Sequence, residues 1–108
     1  MLLYGLATCD TCRKALSELR KAGIDVHLHD VRRDGLTGEA VARFHAAFGE
    51  KLLNRRSTTW RDLTESQREQ DPVALIAEHP TLMKRPVIDT GTDLHLGWGP
   101  ETRAALLG

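Results

Sequence analysis

Tyr4-Gly5-Leu6-Ala7-Thr8-Cys9-Asp10-Thr11-Cys12-Arg13 runs from the end of one apolar segment into the start of an amphipathic one. Upstream, Leu2 to Leu6 reads as a short buried strand. Downstream, residues 10 to 22 predict a helix, because Cys12, Ala15, Leu16 and Leu19 fall at the i, i+3, i+4, i+7 spacing of one buried face. Gly23 supplies its stop. Ile24 to Val31 then predicts a second strand in which Ile24, Val26 and Leu28, with Asp30 after them, share a face. This is a βαβ unit, so the strands are parallel and the crossover right-handed. The Cys9 turn therefore sits at the carboxyl end of the first strand, the edge where α/β sheets place their sites.

Cys9 and Cys12 are the chain's two cysteines. A C-x-x-C pair at a strand-to-helix junction reads as a redox site. Cys9 falls near the helix N-cap, where unpaired backbone N–H groups and the positive end of the helix dipole favour thiolate over thiol. Arg13 adds a positive charge. Such settings lower a cysteine pKa from about 8.5 to roughly 3.5–7.5. Cys12 lies one turn deeper on the apolar stripe, which casts Cys9 as the attacking thiolate and Cys12 as the resolving thiol. Two plainer readings stand beside this one. Cys12 could simply pack as a small core residue while Cys9 acts alone. A structural zinc site would need two more ligands, and His27, His29, His79 and His95 show no paired spacing around a second cysteine.

The 108 residues suffice for one domain with a modest core. Fifteen basic residues balance fifteen acidic ones, so bulk electrostatics point to neither direct nucleic-acid binding nor a membrane partner. Eleven of the basic residues are arginine, compatible with recognition of oxyanions or carboxylates, although genomic base composition is the weightier explanation of such a bias. The N-terminus lacks a basic segment, and its apolar run is too short for a signal peptide or membrane span. The expected compartment is the cytoplasm, where thiols are kept reduced and a permanent structural disulfide is disfavoured.

Beyond the βαβ unit, Arg32-Arg33-Asp34-Gly35 reads as a loop. Thr37 caps a helix whose apolar face continues through Val41, Phe44 and Phe48 to Gly49, with Leu36 placed to staple against Val41. An irregular stretch from Leu52 to Trp60 follows. Thr64 to Gln67 matches a capping box, and Asp71-Pro72 opens another helix that ends before Pro80. Val87 to Asp89 and Leu94 to Trp98 flank the turn Thr90-Gly91-Thr92-Asp93 as a β-hairpin, and Gly99-Pro100 opens a last helix. The predicted architecture is α/β: one thioredoxin-like domain over 1–108, with a four-stranded mixed sheet and a mainly helical insertion at about 37–81. Trp60 and Trp98 read as packing residues, and His27 and His29 as solvated side chains of an edge strand. No Gly-rich phosphate loop, metal motif or Ser/His/Asp set is present, and no tightly bound cofactor is expected.

Several segments together resemble the ArsC (arsenate reductase) family, which includes the Spx transcription regulators and the YffB-like proteins. They are Tyr4-Gly5…Cys9-Asp10-Thr11…Arg13-Lys14-Ala15, Asp30…Arg32…Asp34-Gly35, Leu52-Leu53-Asn54…Arg56…Thr58-Thr59-Trp60-Arg61…Leu63, and Lys84-Arg85-Pro86-Val87. The run from Leu53-Asn54 to Trp60 and the Lys84-Arg85-Pro86 step look most like the YffB-like branch. The resemblance implies that Cys9 is the nucleophile, that Arg85 holds a thiolate or oxyanion, and that the Arg85–Pro86 bond is cis. It also implies substrate contacts from Thr8, Thr11, Arg13, Arg56 and Pro86. Asn54 and Leu96 stand where the arsenate-reducing branch carries arginine, so the anion cage is incomplete.

The implied function is a thiol-based reductase acting on a disulfide, a glutathione mixed disulfide or an oxyanion, with glutathione as reductant and glutaredoxin as a candidate partner. Two alternatives accompany it. One is a glutaredoxin-coupled arsenate reductase. The other is an Spx-like redox-sensing regulator that binds RNA polymerase, to which the C-x-x-C motif points.

Overall fold

In the computed structural model, which describes residues 1–108, the first strand is β1, Leu2–Gly5, and helix α1, Asp10–Lys21, follows it. The buried residues of α1 are Cys12, Ala15, Leu16 and Leu19, the stripe read from the sequence. Gly23, at φ +82°, turns the chain out of the helix. Its N–H donates to the Arg20 carbonyl and that of Ile24 to the Leu19 carbonyl, which satisfies two end-of-helix acceptors.

That ending shortens the second strand. β2 spans His27–Asp30, not Ile24 to Val31, because Ile24 belongs to the helix stop and Val26 is drawn into the core, its carbonyl accepting from the Arg20 guanidinium at 3.1 Å. Two strands return late in the chain, β3 at Val87–Asp89 and β4 at Leu94–Leu96, and α1 is joined by a last helix at Pro100–Leu107.

The four strands form one mixed sheet in the order β2-β1-β3-β4. β1 pairs parallel with β2, Gly5 opposite Asp30, and antiparallel with β3, Leu3 opposite Ile88. β3 and β4 form the predicted hairpin, with Val87 opposite Leu96. Leu3, Cys12, Ala15, Leu16, Leu19, Val26, Ile88 and Trp98 make one apolar cluster. Trp98 satisfies its indole N–H on the Glu18 carboxylate, which also takes a bond from Arg103 at 3.3 Å. Met1–Asp30 and Arg85–Gly108 together make up this first unit.

Val31–Lys84 makes a second unit, almost wholly helical. α2, Val31–Asp34, replaces the expected loop: the Gly35 N–H closes a turn on the Val31 carbonyl at 3.0 Å. α3, Gly38–Phe48, is capped by Thr37, whose hydroxyl accepts from the Ala40 N–H. α4, Thr58–Arg61, begins inside the stretch read as irregular and is capped by Ser57. α5, Glu65–Arg68, carries the complete capping box of Thr64 and Gln67, and α6, Pro72–Glu78, starts from Asp71 with Pro72 at its first position. Short 3-10 turns occupy Gly49–Leu52 and Pro80–Leu82. Val41, Phe44, Leu52, Leu75, Ile76, Leu82 and Met83 are buried here. The final helix of the chain, Pro100–Leu107, is α7. None of the helices is long and apolar enough to cross a membrane.

Candidate active site

The site grows from the short link Leu6–Cys9 between β1 and α1. Cys9 is the N-cap of α1, with extended backbone at φ −83° and ψ 120°. Its N–H donates to the Leu6 carbonyl at 3.1 Å, and its own carbonyl accepts from the Arg13 N–H at 3.0 Å, the first rung of the helix. Its side chain is half-buried, whereas Cys12 is completely buried. Both thiols are free.

The two sulfurs have opposite acid strengths. Burial is the largest influence on Cys9 and opposes its ionisation. The Cys12 backbone N–H, the Cys12 thiol and the Arg85 guanidinium nevertheless outweigh it together and hold the Cys9 pKa below the ordinary cysteine value. The neutral Cys9 side chain closes no capping hydrogen bond. These donors therefore act by favouring the charge that appears on ionisation. For Cys12 burial also dominates: the Leu6 N–H and Arg85 favour its thiolate but do not outweigh burial together with the nearby Cys9, and its pKa is pushed up to about 12.

Arg85 is half-buried at the entrance to β3, and the Arg85–Pro86 bond is cis, as the resemblance implies. Pro86 is buried, and its carbonyl accepts from the Gly97 N–H at 2.8 Å, tying it to the hairpin. Cys9, Cys12, Arg85 and Pro86 thus belong to one unit. Thr8 and Thr11 flank the nucleophile and are exposed. Arg13 is exposed at the start of α1. It extends into solvent, 3.9 Å from the exposed Asp10 carboxylate, and the guanidinium that acts on Cys9 is that of Arg85.

Arg56 belongs to the helical unit. Its N–H donates to Asn54 Oδ1 at 3.1 Å, so Asn54 spends its side chain on closing this corner of the backbone. The neighbouring Arg55 lies over the Trp60 ring at 5.8 Å, with Arg68 over the same ring at 5.4 Å. Glu50, Leu53, Asn54, Arg55, Arg56 and Lys84 line a cavity of about 440 Å³ there.

Two residues that the motif reading did not assign to the site also shape it. Gly5 lies against the Cys12 sulfur, and no one-dimensional signal marks that approach. The Asp30 carboxylate accepts a hydrogen bond from the Ala7 N–H at 3.1 Å; its signal was a charged residue continuing an otherwise apolar strand face.

The chain and its fold also resemble known proteins. The ArsC family model matches residues 4–106. An uncharacterised protein of Haemophilus influenzae is 42% identical over 91 residues, 80% of this chain and 80% of its own length. The global transcriptional regulator Spx 2 of Bacillus anthracis is 27% identical over 107 residues, covering 94% of this chain and 82% of its own. Among solved structures, the YffB protein superposes with a TM-score of 0.88 at 33% identity, covering 99% of this chain and 98% of that one.

Proposed function

The chain belongs to the ArsC family, in its YffB-like branch, and on that premise we propose that it is a thiol-dependent reductase with Cys9 as nucleophile and Cys12 as resolving thiol. The observation that carries this reading is the opposed acidity of two thiols one helical turn apart, the half-buried one lowered and the buried one raised. Attack on a disulfide requires a thiolate with access to substrate, and Cys9 is that group.

In the first step the Cys9 thiolate attacks one sulfur of R–S–S–R′. A Cys9–S–S–R bond forms, the original S–S bond breaks, and R′S⁻ leaves to take a proton from water. Cys9 is now neutral, so its charge no longer opposes ionisation of Cys12, which was one of the influences raising that pKa. Cys12 then attacks the Cys9 sulfur, expels RS⁻ and gives up its proton to it. The enzyme is left as a Cys9–Cys12 disulfide, two electrons more oxidised. Two equivalents of glutathione restore both thiols and become one glutathione disulfide.

Arg85 stabilises the Cys9 thiolate before attack and the leaving thiolate after it. The family resemblance makes Thr8, Thr11, Arg13, Arg56 and Pro86 the candidate substrate contacts. Glutaredoxin is a reasonable protein partner for the reducing half-reaction. The arsenate-reductase reading is weakened by uncharged Asn54 and Leu96. The Spx-like reading draws its support from the Spx 2 similarity and the C-x-x-C spacing, and retention of RNA polymerase by the immobilised chain would favour it.

The deciding experiment is steady-state turnover of a glutathione mixed disulfide, a protein disulfide and arsenate, each with and without glutathione. Cys9-dependent turnover of either disulfide substrate is expected. Absence of both, with efficient arsenate reduction, would replace this reading with the arsenate one.

A further inference from the structure

Asp30 ends β2, and its carboxylate reaches the link that carries the nucleophile. Oδ2 accepts from the Ala7 backbone N–H at 3.1 Å. Strand alternation puts Asp30 on the same face as Leu28, and Leu28 packs against the cluster that contains Cys12, Ala15, Leu16 and Leu19 of α1. The carboxylate therefore lies on the helix side of the sheet. Gly5 opposite Asp30 is the last rung of the parallel ladder. Beyond it β1 leaves the sheet and climbs to the helix through Leu6–Cys9, a path fixed by the Cys9-to-Leu6 bond and the Ala7-to-Asp30 bond.

Ala7 is exposed, so water would solvate its N–H if Asp30 were absent, and the bond is not needed to spare a buried donor. What the carboxylate adds is a fixed point. A charge-assisted bond is short and directional, and this one ties the middle of the link to the end of the neighbouring strand. Freedom at Ala7 would displace the Cys9 sulfur relative to both the Cys12 N–H and Arg85, the groups that favour its thiolate.

We propose that Asp30 is a positioning residue for Cys9, holding the thiol over the α1 N-terminus and beside Arg85 by anchoring Ala7. The inference rests on Cys9 being the nucleophile. It needs the acceptor oxygen of Asp30 rather than its charge, so asparagine, which carries a carbonyl oxygen at the same reach, should serve and alanine should not.

The test is the pH profile of Cys9 alkylation by iodoacetamide, in a Cys12→Ser background, for Asp30→Ala and Asp30→Asn. Asp89→Ala is the control, since Asp89 Oδ1 makes the same kind of bond to the Gly91 N–H at 2.8 Å in the hairpin. Asp30→Ala should move the midpoint up by about one pH unit, leaving about tenfold less thiolate below it. Asp30→Asn, which keeps the acceptor and loses the charge, should leave the midpoint at or slightly below the parent value, and Asp89→Ala should keep it, whatever their melting temperatures. Removing a negative charge near a thiol lowers its pKa, so an upward shift reports lost geometry and a generic charge effect would run the other way. An unchanged or lowered midpoint in Asp30→Ala, or an equal rise in Asp30→Asn, overturns the proposal. Should Asp30→Ala not fold, Asp30→Glu keeps the charge but moves the oxygen by one methylene; it should also raise the midpoint, and a parent-like value overturns the proposal. Alkylation needs no substrate, so a protein without disulfide turnover that still shows these shifts would refute the reductase reading and leave the role of Asp30 standing.

Discussion

A methyl group on Gly5 would lie 2.4 Å from the Cys12 sulfur and 3.2 Å from Cys12 Cβ. The first strand and the resolving cysteine are therefore in contact at a distance that admits only glycine. Gly5→Ala should destabilise the protein by about 1–3 kcal/mol, the usual cost of overpacking a filled core. Adding Cys12→Ala to that variant removes the sulfur it collides with, so the double variant should be more stable than the sum of the single effects. Denaturant unfolding of the four proteins measures this, and simple additivity would show that the contact is not the cause.

Arg85 favours the Cys9 thiolate both by hydrogen bonding and by charge. In Arg85→Gln the alkylation midpoint of Cys9 should rise by about one pH unit, the lower end of what one nearby opposite charge contributes. Arg85→Lys, which keeps the charge and loses the fork geometry, should fall between the two. Cys9→Ser should abolish the fast reaction and Cys12→Ser should retain it. Rapid labelling near neutral pH in Cys9→Ser would exchange the roles of the two cysteines.

The pKa of Cys12 near 12 also makes stability depend on pH. The folded state keeps this thiol protonated, while the unfolded chain ionises it around the ordinary value of 9.0. Its contribution is thus complete below pH 9 and lost as pH rises from there towards 12, at no more than about 1.4 kcal/mol per pH unit. Cys9, with its lowered pKa, works in the opposite sense and has made its full contribution by pH 9. Unfolding free energy between pH 9 and 11 should therefore fall more steeply in the parent than in Cys12→Ala. Parallel slopes would mean that another group governs the alkaline limb.

Arsenate should be a poor substrate beside a disulfide. It carries concentrated charge, and each charged hydrogen bond missing from its cage costs about 1.5–3 kcal/mol. Asn54 and Leu96 together imply a deficit of about 3–6 kcal/mol, or roughly two to four powers of ten in affinity. Steady-state kcat/KM for the two substrates on the same protein gives the comparison directly. Near-equal values would mean that other side chains complete the cage.

The helix stripe from Cys12 to Leu19, the Thr37, Thr64 and Asp71 caps and the hairpin were all legible in the chain, because each rests on residues near one another in sequence. The errors fell where local signals compete or are too short. Ile24 has the composition of a strand residue, yet its N–H is taken by the carbonyl of Leu19. The single turns at Val31–Asp34 and Thr58–Arg61 are too short to show a hydrophobic period, though Ser57 carried a capping signal in the second. At the site, the motif and the family resemblance pointed to both cysteines and to Arg85. Gly5 against Cys12 and Asp30 against Ala7 are contacts between segments, and spacing alone contains neither. The influence of Arg85 on Cys9 likewise joins two distant segments, whereas Arg13, adjacent in sequence, points into solvent beside Asp10.

The division of the chain also bears on the order in which it folds. The helical unit is one continuous segment, Val31–Lys84, whereas the sheet unit is built from two segments that flank it. β1 pairs with β3 through Leu2 and Asp89, near opposite ends of the sequence. Closing that ladder carries the entropy of a long loop, and contacts of large sequence separation slow folding. The β1–α1–β2 segment and the helices can each gain local structure early, but the central strand finds its antiparallel neighbour only after the whole excursion has been gathered in. Arg85 arrives with that neighbour. The share of the Cys9 thiolate's stabilisation that Arg85 supplies is therefore added late, and a chain caught with its sheet half-formed has a Cys9 that leans on the α1 N-terminus and Cys12 alone.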